Sequence, residues 1–139
     1  MKGVIYQIKT ADGLYVGSTI DFNIRCNIHR WRAKQPDRRE LLYNNIIANN
    51  GIYKLEIYCN VNCRDKRHLE FFEEQYRIIL DANLNQNSAY GLDVEKVKKR
   101  NSQKNICECG GKYIHHNRAK HFKSQKHLKY IKDSQAPPL

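Results

Sequence analysis

The chain has 139 residues, enough for one modest domain with a small appendage, and 25 Lys and Arg against 14 Asp and Glu give it a formal charge of +11. The excess is uneven, net +3 over residues 1–92 and net +8 over 93–139, which points to a polyanionic partner, nucleic acid first. No run of about 18 apolar residues and no leader-like apolar segment occurs, so no membrane association or secretion is expected. Five cysteines (Cys26, Cys59, Cys63, Cys107 and Cys109) are an odd count. They argue against a disulfide framework and for an intracellular, reducing compartment, cytoplasm or nucleus.

In chain order, Val4 to Thr10 and Leu14 to Thr19 alternate as strands, and Asp12-Gly13 between them reads as a two-residue hairpin turn. Asp21 is placed to cap a helix from about Phe22 to Ala33, with Ile24, Ile28 and Trp31 on one stripe. After Pro36, Asp37 to Glu40 reads as a capping box for a second helix to about Asn49, stopped by Gly51. Tyr53 to Val61 alternates again as the third strand. A longer helix follows to about Asp81, capped by Asp65 or Asn62. Asp93 to Asn105 is charged and poor in large apolar residues, a linker or a short exposed helix. The order ββααβα predicts an α+β domain over residues 1–92, built on a small three-stranded antiparallel sheet flanked by helices.

The hairpin carries a chemical pattern. With Asp12-Gly13 as the turn, Tyr6 is expected opposite Thr19, Ile8 opposite Gly17 and Thr10 opposite Tyr15. Tyr6, Tyr15 and Gly17 then share one face, while Ile5 and Val16 share the other. Gly17 would leave room for a ligand to approach the backbone. Arg25 and His29 stand four apart on the first helix and share a face, where they can reach a phosphate. Leu69, Glu73, Tyr76 and Leu80 form a stripe on the long helix, so Glu73 is expected among buried residues and needs a cation nearby. Pairing with Arg77 is the structural alternative. Cys26, Cys59 and Cys63 read as small core residues.

Taken in order, GVIYQI, LYVGST, RCNIH and LEFFEEQYRIILDANLN make residues 2–88 resemble the GIY-YIG nucleases. Val4 stands where the name motif has its first glycine, and YVG replaces YIG. The resemblance implies a DNA endonuclease that hydrolyses phosphodiester bonds with one divalent ion, Mg2+ or Mn2+. It matches Tyr6 and Tyr15 to the motif tyrosines and Arg25 to the catalytic arginine. Glu73 matches the metal-binding glutamate, with Glu74 as the other candidate, and Asn85 matches the downstream asparagine. These residue types suit the task. A hard cation takes a carboxylate and a phosphate oxygen, and arginine donates to the developing phosphoryl charge. Tyr6 is the candidate to orient or deprotonate the attacking water, with Tyr15 or His29 assisting.

A second unit spans about 106–132, leaving 133–139 as a tail. Cys107-x-Cys109, then His121-x5-His127, resembles a Cys2His2 zinc finger with a shortened first spacing; His115 or His116 could replace His121. About 25 residues without a core of their own fold when Zn2+ is bound by four such ligands. The finger helix is expected to carry both histidines and to present Arg118, Lys120, Lys123, Lys126 and Lys129 to DNA phosphates. Fingers of this form are similar to those of stand-alone or homing-type endonucleases of large DNA viruses. The whole then reads as a nuclease tethered to DNA by a basic finger. The alternative is a non-catalytic nucleic-acid-binding zinc protein on the same scaffold.

Overall fold

The structure is a computed structural model that describes residues 1–89 and 103–135. Strands β1 (Lys2–Lys9), β2 (Leu14–Thr19) and β3 (Lys54–Asn62) form an antiparallel sheet in the order β2-β1-β3. Helices α1 (Phe22–Ala33) and α2 (Leu41–Ala48) separate β2 from β3, and α3 (Lys66–Ile79) follows β3. The C-terminal unit has a minimal hairpin of β4 (Asn105–Ile106) and β5 (Lys112–Tyr113), then a 3-10 turn at His115–Asn117, α4 (Arg118–Phe122) and α5 (Gln125–Asp133). The protein is thus α+β, with the expected three-stranded sheet. Most of the expected 93–105 linker lies outside the described residues. No helix among those described is long and apolar enough to cross a membrane.

The hairpin register differs from the expected one by two residues. Tyr6 faces Gly17, Ile8 faces Tyr15 and Lys9 faces Leu14, so the connection is Thr10 to Gly13. Thr10 decides this: its hydroxyl accepts from the backbone N–H of Gly13 at 3.1 Å and of Asp12 at 3.3 Å, while its own N–H donates to the Gly13 carbonyl at 3.0 Å. A shift of two leaves every side chain on its face, so Tyr6, Tyr15 and Gly17 still share one. A bulge in β3 at Tyr58 shifts the other pairing between Ile5 and Tyr6.

Both sheet faces are covered. Ile5, Val16 and Val61 pack on Leu69, Phe72 and Tyr76 of α3 and on Ile131 of α5. Tyr6 and Ile8 pack on Leu42, Tyr43 and Ile46 of α2, with Phe22 and Ala33 of α1 beside them. Asp21 and Asp65 cap α1 and α3, their carboxylates accepting from Ile24 and His68 N–H at 3.0 and 2.8 Å.

Three expectations need correction. Helix α2 begins at Leu41 and not at Asp37, because Glu40 pairs with Arg38 at 3.0 Å and gives no side-chain cap. Gln86 serves instead, its side-chain oxygen accepting from the Leu41 N–H at 2.8 Å. The stripe expected to bury α1 faces outward, with Ile24 and Trp31 each 59 % exposed. Phe22, Cys26, His29 and Ala33 turn inward instead. Finally, the C-terminal unit is docked, and part of the supposed tail is structural. Asp133 ends α5, Ser134 accepts from Asn62 N–H at 3.2 Å, and Gln135 bridges to Val61.

Candidate active site and metal centre

Tyr15, Arg25, His29, Glu73 and Asn85 line one cleft of about 260 Å³ at the free side of β2, together with Arg32, Glu40 and Tyr43. Five elements contribute: β2, α1, α2, α3 and the segment after α3. The inward stripe of α1 positions His29, and Glu73 reaches the cleft from the opposite sheet face because α3 packs across β2.

Tyr6 stands behind this cleft, only 1 % exposed. Its hydroxyl lies 2.8 Å from His29 Nε2, and His29 Nδ1 lies 2.9 Å from the Tyr43 hydroxyl. The room at Gly17 is filled by Tyr6 itself: a methyl there would collide with the Tyr6 ring across the strand pair. Gly17 therefore seats a side chain of the site and does not hold space for a ligand. Gly17→Ala is expected to cost about 1–3 kcal/mol through overpacking, read as a lowered urea midpoint with unchanged m-value.

Electrostatics separate these groups. Burial pushes Tyr6 well above the ordinary phenol value, and burial together with the Glu73 charge raises Tyr15 to about 12. His29 is lowered to about 4 by burial and the nearby Arg25 and Arg32 charges, so it is neutral at pH 7. Glu73 is raised to about 7 by burial, against the lowering effects of Ser18 and Arg25. The Ser18 hydroxyl donates to Glu73 Oε2 at 2.5 Å, and among the described residues no salt bridge reaches this carboxylate.

The adjacent Glu74 is different. Its side chain is 2 % exposed and is held by Arg77 through two hydrogen bonds of 2.9 and 2.7 Å, and by Arg118 of α4 at 3.0 Å. It also accepts from the Ala89 N–H at 3.1 Å. Arg77 thus pairs with Glu74 and not with Glu73. Arg118, expected on the DNA-facing side, points into the molecule. Asn85 spends both ends of its amide on Val16, accepting from its N–H at 2.9 Å and donating to its carbonyl at 2.7 Å. Asn83 treats Leu14 and Asp12 in the same way. Asn85 borders the cleft, but it positions β2.

The second site is a Cys2His2 group. Cys107, Cys109, His121 and His127 bring one ligand atom each to within 4.8 Å of one another, so they could hold a metal ion such as zinc. Cys107 Sγ lies 3.3 Å from His127 Nδ1, and Cys109 Sγ lies 3.4 Å from His121 Nε2. Soft sulfur and imidazole donors at this spacing suit tetrahedral zinc. His115 and His116 are not members; they lie in the 3-10 turn preceding α4. The histidines do not share one helix: His121 lies on α4 and His127 on α5, separated by Ser124, whose hydroxyl caps α5. Gly111 permits the close knuckle, since a Cβ there would lie 2.5 Å from His121 Cε1.

Sequence reasoning missed Gln75. It is fully buried, and its side-chain oxygen accepts from His127 Nε2 at 2.8 Å, which leaves Nδ1 with a lone pair for the metal. Outside this centre, Lys120 and Lys126 are exposed, and Lys123 pairs with Asp81 at 2.9 Å. The chain matches no protein-family model, no curated protein and no solved structure.

Proposed function

We propose that the protein is a divalent-metal-dependent DNA endonuclease of the GIY-YIG kind, hydrolysing phosphodiester bonds in the cleft beside β2, with structural zinc in the Cys2His2 group. The observation that carries this reading is the convergence of Tyr15, Arg25, neutral His29 and a buried Glu73 on one cleft. A carboxylate desolvated enough to titrate near 7, next in sequence to one already neutralised by two arginines, offers an oxygen donor suited to a hard cation. Mg2+ or Mn2+ bound at Glu73 would polarise the phosphate and stabilise the leaving oxygen.

The chain's own groups supply the rest. Arg25 donates to the non-bridging oxygens as charge builds on the phosphoryl group. Tyr15, which lines the cleft, orients the attacking water. Tyr6 acts behind it, its ring centroid 6.3 Å from that of Tyr15 and its hydroxyl 2.8 Å from His29 Nε2. Neutral His29 accepts from the Tyr6 hydroxyl through Nε2 and so fixes that ring behind Tyr15, while the proton lost by the attacking water leaves to solvent. This requires the tautomer in which Nδ1–H donates to Tyr43. With burial raising both phenols, Tyr6 and Tyr15 stay protonated and orient the water instead of removing its proton as phenolates. The exposed Lys120 and Lys126, with Lys123, are placed on the outer face of α4 and α5 to hold DNA phosphates without reading sequence.

The test is conversion of supercoiled plasmid by zinc-loaded protein with and without Mg2+ or Mn2+. Metal-dependent nicking or linearisation supports the reading. Salt-sensitive DNA binding without cleavage would mark a non-catalytic nucleic-acid-binding zinc protein instead.

Glu73 also sets a pH dependence. Below about pH 7 the metal-free carboxylate is protonated, so Mg2+ must displace a proton. Its affinity is expected to fall by up to about tenfold per pH unit below that value and to level off above it, as measured by calorimetric Mg2+ titration. The linkage to folding runs the other way. Because the folded pKa lies above the ordinary 4.5, this group's contribution to metal-free stability is fullest below 4.5 and declines as pH rises through 7.

A further inference from the structure

The outward face of α1 is a second feature of the same region. Ile24, Ile28 and Trp31 line an open groove of about 470 Å³ with Asn27, Arg32 and Arg38. Trp31 remains 59 % exposed although the Arg38 guanidinium lies 5.6 Å from its ring centroid, and Arg38 is itself held by Glu40 at 3.0 Å. Residues 30–40 carry Arg30, Arg32, Lys34, Arg38 and Arg39 against Asp37 and Glu40. Arg32 lines both this groove and the cleft that holds Tyr15 and Glu73.

From this we infer that the Trp31 face is a stacking platform for unpaired bases of the DNA strand whose phosphate enters the cleft, so that the favoured substrate carries a single-stranded segment beside the cut. The inference rests on the nuclease reading and specifies its substrate. An accessible indole flanked by Arg32 and Arg38 is the combination single-stranded nucleic acid requires, cationic groups beside a flat π-surface. A regular duplex keeps its bases stacked and cannot offer their faces to Trp31. A second copy of the chain in symmetric contact would set Arg30, Arg32, Arg38 and Arg39 against their own counterparts, which disfavours self-association there.

Trp31 is the chain's single tryptophan, so its emission reports this face alone. Zinc-loaded protein without Mg2+ is titrated with a 12-nucleotide oligothymidylate and, separately, with a 12-base-pair duplex, while labelled oligonucleotide anisotropy gives Kd. The expected result is strong quenching by the single strand at about tenfold lower concentration than by the duplex. Trp31→Ala should raise the single-strand Kd about tenfold, and Trp31→Phe should stay within about threefold of the parent. Saturating single-strand binding with unchanged Trp31 emission would overturn the inference. So would equal quenching by duplex, or a concentration-dependent dimer with blue-shifted emission. Plasmid cleavage with a silent Trp31 sinks the platform and leaves the nuclease reading intact. Quenching without any cleavage keeps the platform and sinks the catalysis.

Discussion

Glu73→Gln is expected to lower the cleavage rate by about 10³-fold or more while leaving the fold intact, and Glu74→Ala is expected to do the opposite. The two carboxylates are chain neighbours, yet their surroundings divide the roles. Glu73 is buried against Ser18 with its pKa raised to about 7, so replacing it with a neutral amide removes a desolvated charge and costs little stability. It also removes the sole carboxylate we assign to the catalytic cation. Glu74 anchors Arg77, Arg118 and the Ala89 N–H from a side chain 2 % exposed. Truncating it leaves two half-buried guanidinium groups without their counter-charge, a loss of about 3–5 kcal/mol. Initial rates on plasmid and thermal midpoints, measured on both variants, separate the effects. Abolished cutting in a well-folded Glu74 variant, with activity kept in Glu73→Gln, would reverse the assignment.

Removing the metal we assign to the Cys2His2 group is expected to destabilise the entire molecule and not the C-terminal unit alone. Ile131 of α5 is 3 % exposed within the same core as Ile5, Val16 and Phe72, and His127 is fully buried against Gln75. Arg64, just before α3, and His68 in its first turn bond Glu108 of the knuckle at 2.6 and 2.9 Å, and Tyr130 does so from α5. A ligand that holds α4 and α5 together therefore also holds them on α3. Structural zinc contributes about 10 kcal/mol or more of apparent folding energy in isolated fingers. Even a fraction of that transmitted to the sheet would lower its midpoint by about 10 °C. The measurement is thermal unfolding followed by Trp31 emission, which reports from α1, before and after chelation and in Cys107→Ser. A finger on a loose tether would leave the Trp31 transition where it was; a docked one moves it down.

The fold was legible where local chemistry decides. Alternation marked β1, β2 and β3; Asp21 announced α1, and Asp65, one of two candidates with Asn62, proves to cap α3, because a carboxylate at that position satisfies N–H groups whatever lies beyond. The cysteine and histidine spacing disclosed the Cys2His2 group, and the order of Tyr6, Tyr15, Arg25, His29 and Glu73 disclosed a set that the fold does gather around one cleft. What escaped was decided at long range. The inward stripe of α1 is Phe22, Cys26, His29 and Ala33, less apolar than Ile24, Ile28 and Trp31, so hydrophobicity alone selects the wrong face. His29 is inside because Tyr6 and Tyr43 supply partners for both ring nitrogens. Arg118 looked like a DNA contact because Glu74, 44 positions earlier, is not visible as its partner in a linear chain. The roles of Gln75 and Asn85 were hidden likewise, since each depends on a residue more than 50 positions away.

The amides of Asn83 and Asn85 along β2, and the bonds of Ser134 and Gln135 to β3, have a consequence for how the protein keeps to itself in a crowded solution. A three-stranded sheet has two margins whose free backbone groups can recruit a strand from a neighbouring chain, the first step of aggregation. Here those margins are partly occupied by segments of the same molecule. Both sealing segments come from later in the chain than the strands they cover, so the sheet can pair before it is sealed. The aggregation-prone species is therefore a paired sheet on which residues 83–85 and 134–135 have yet to settle.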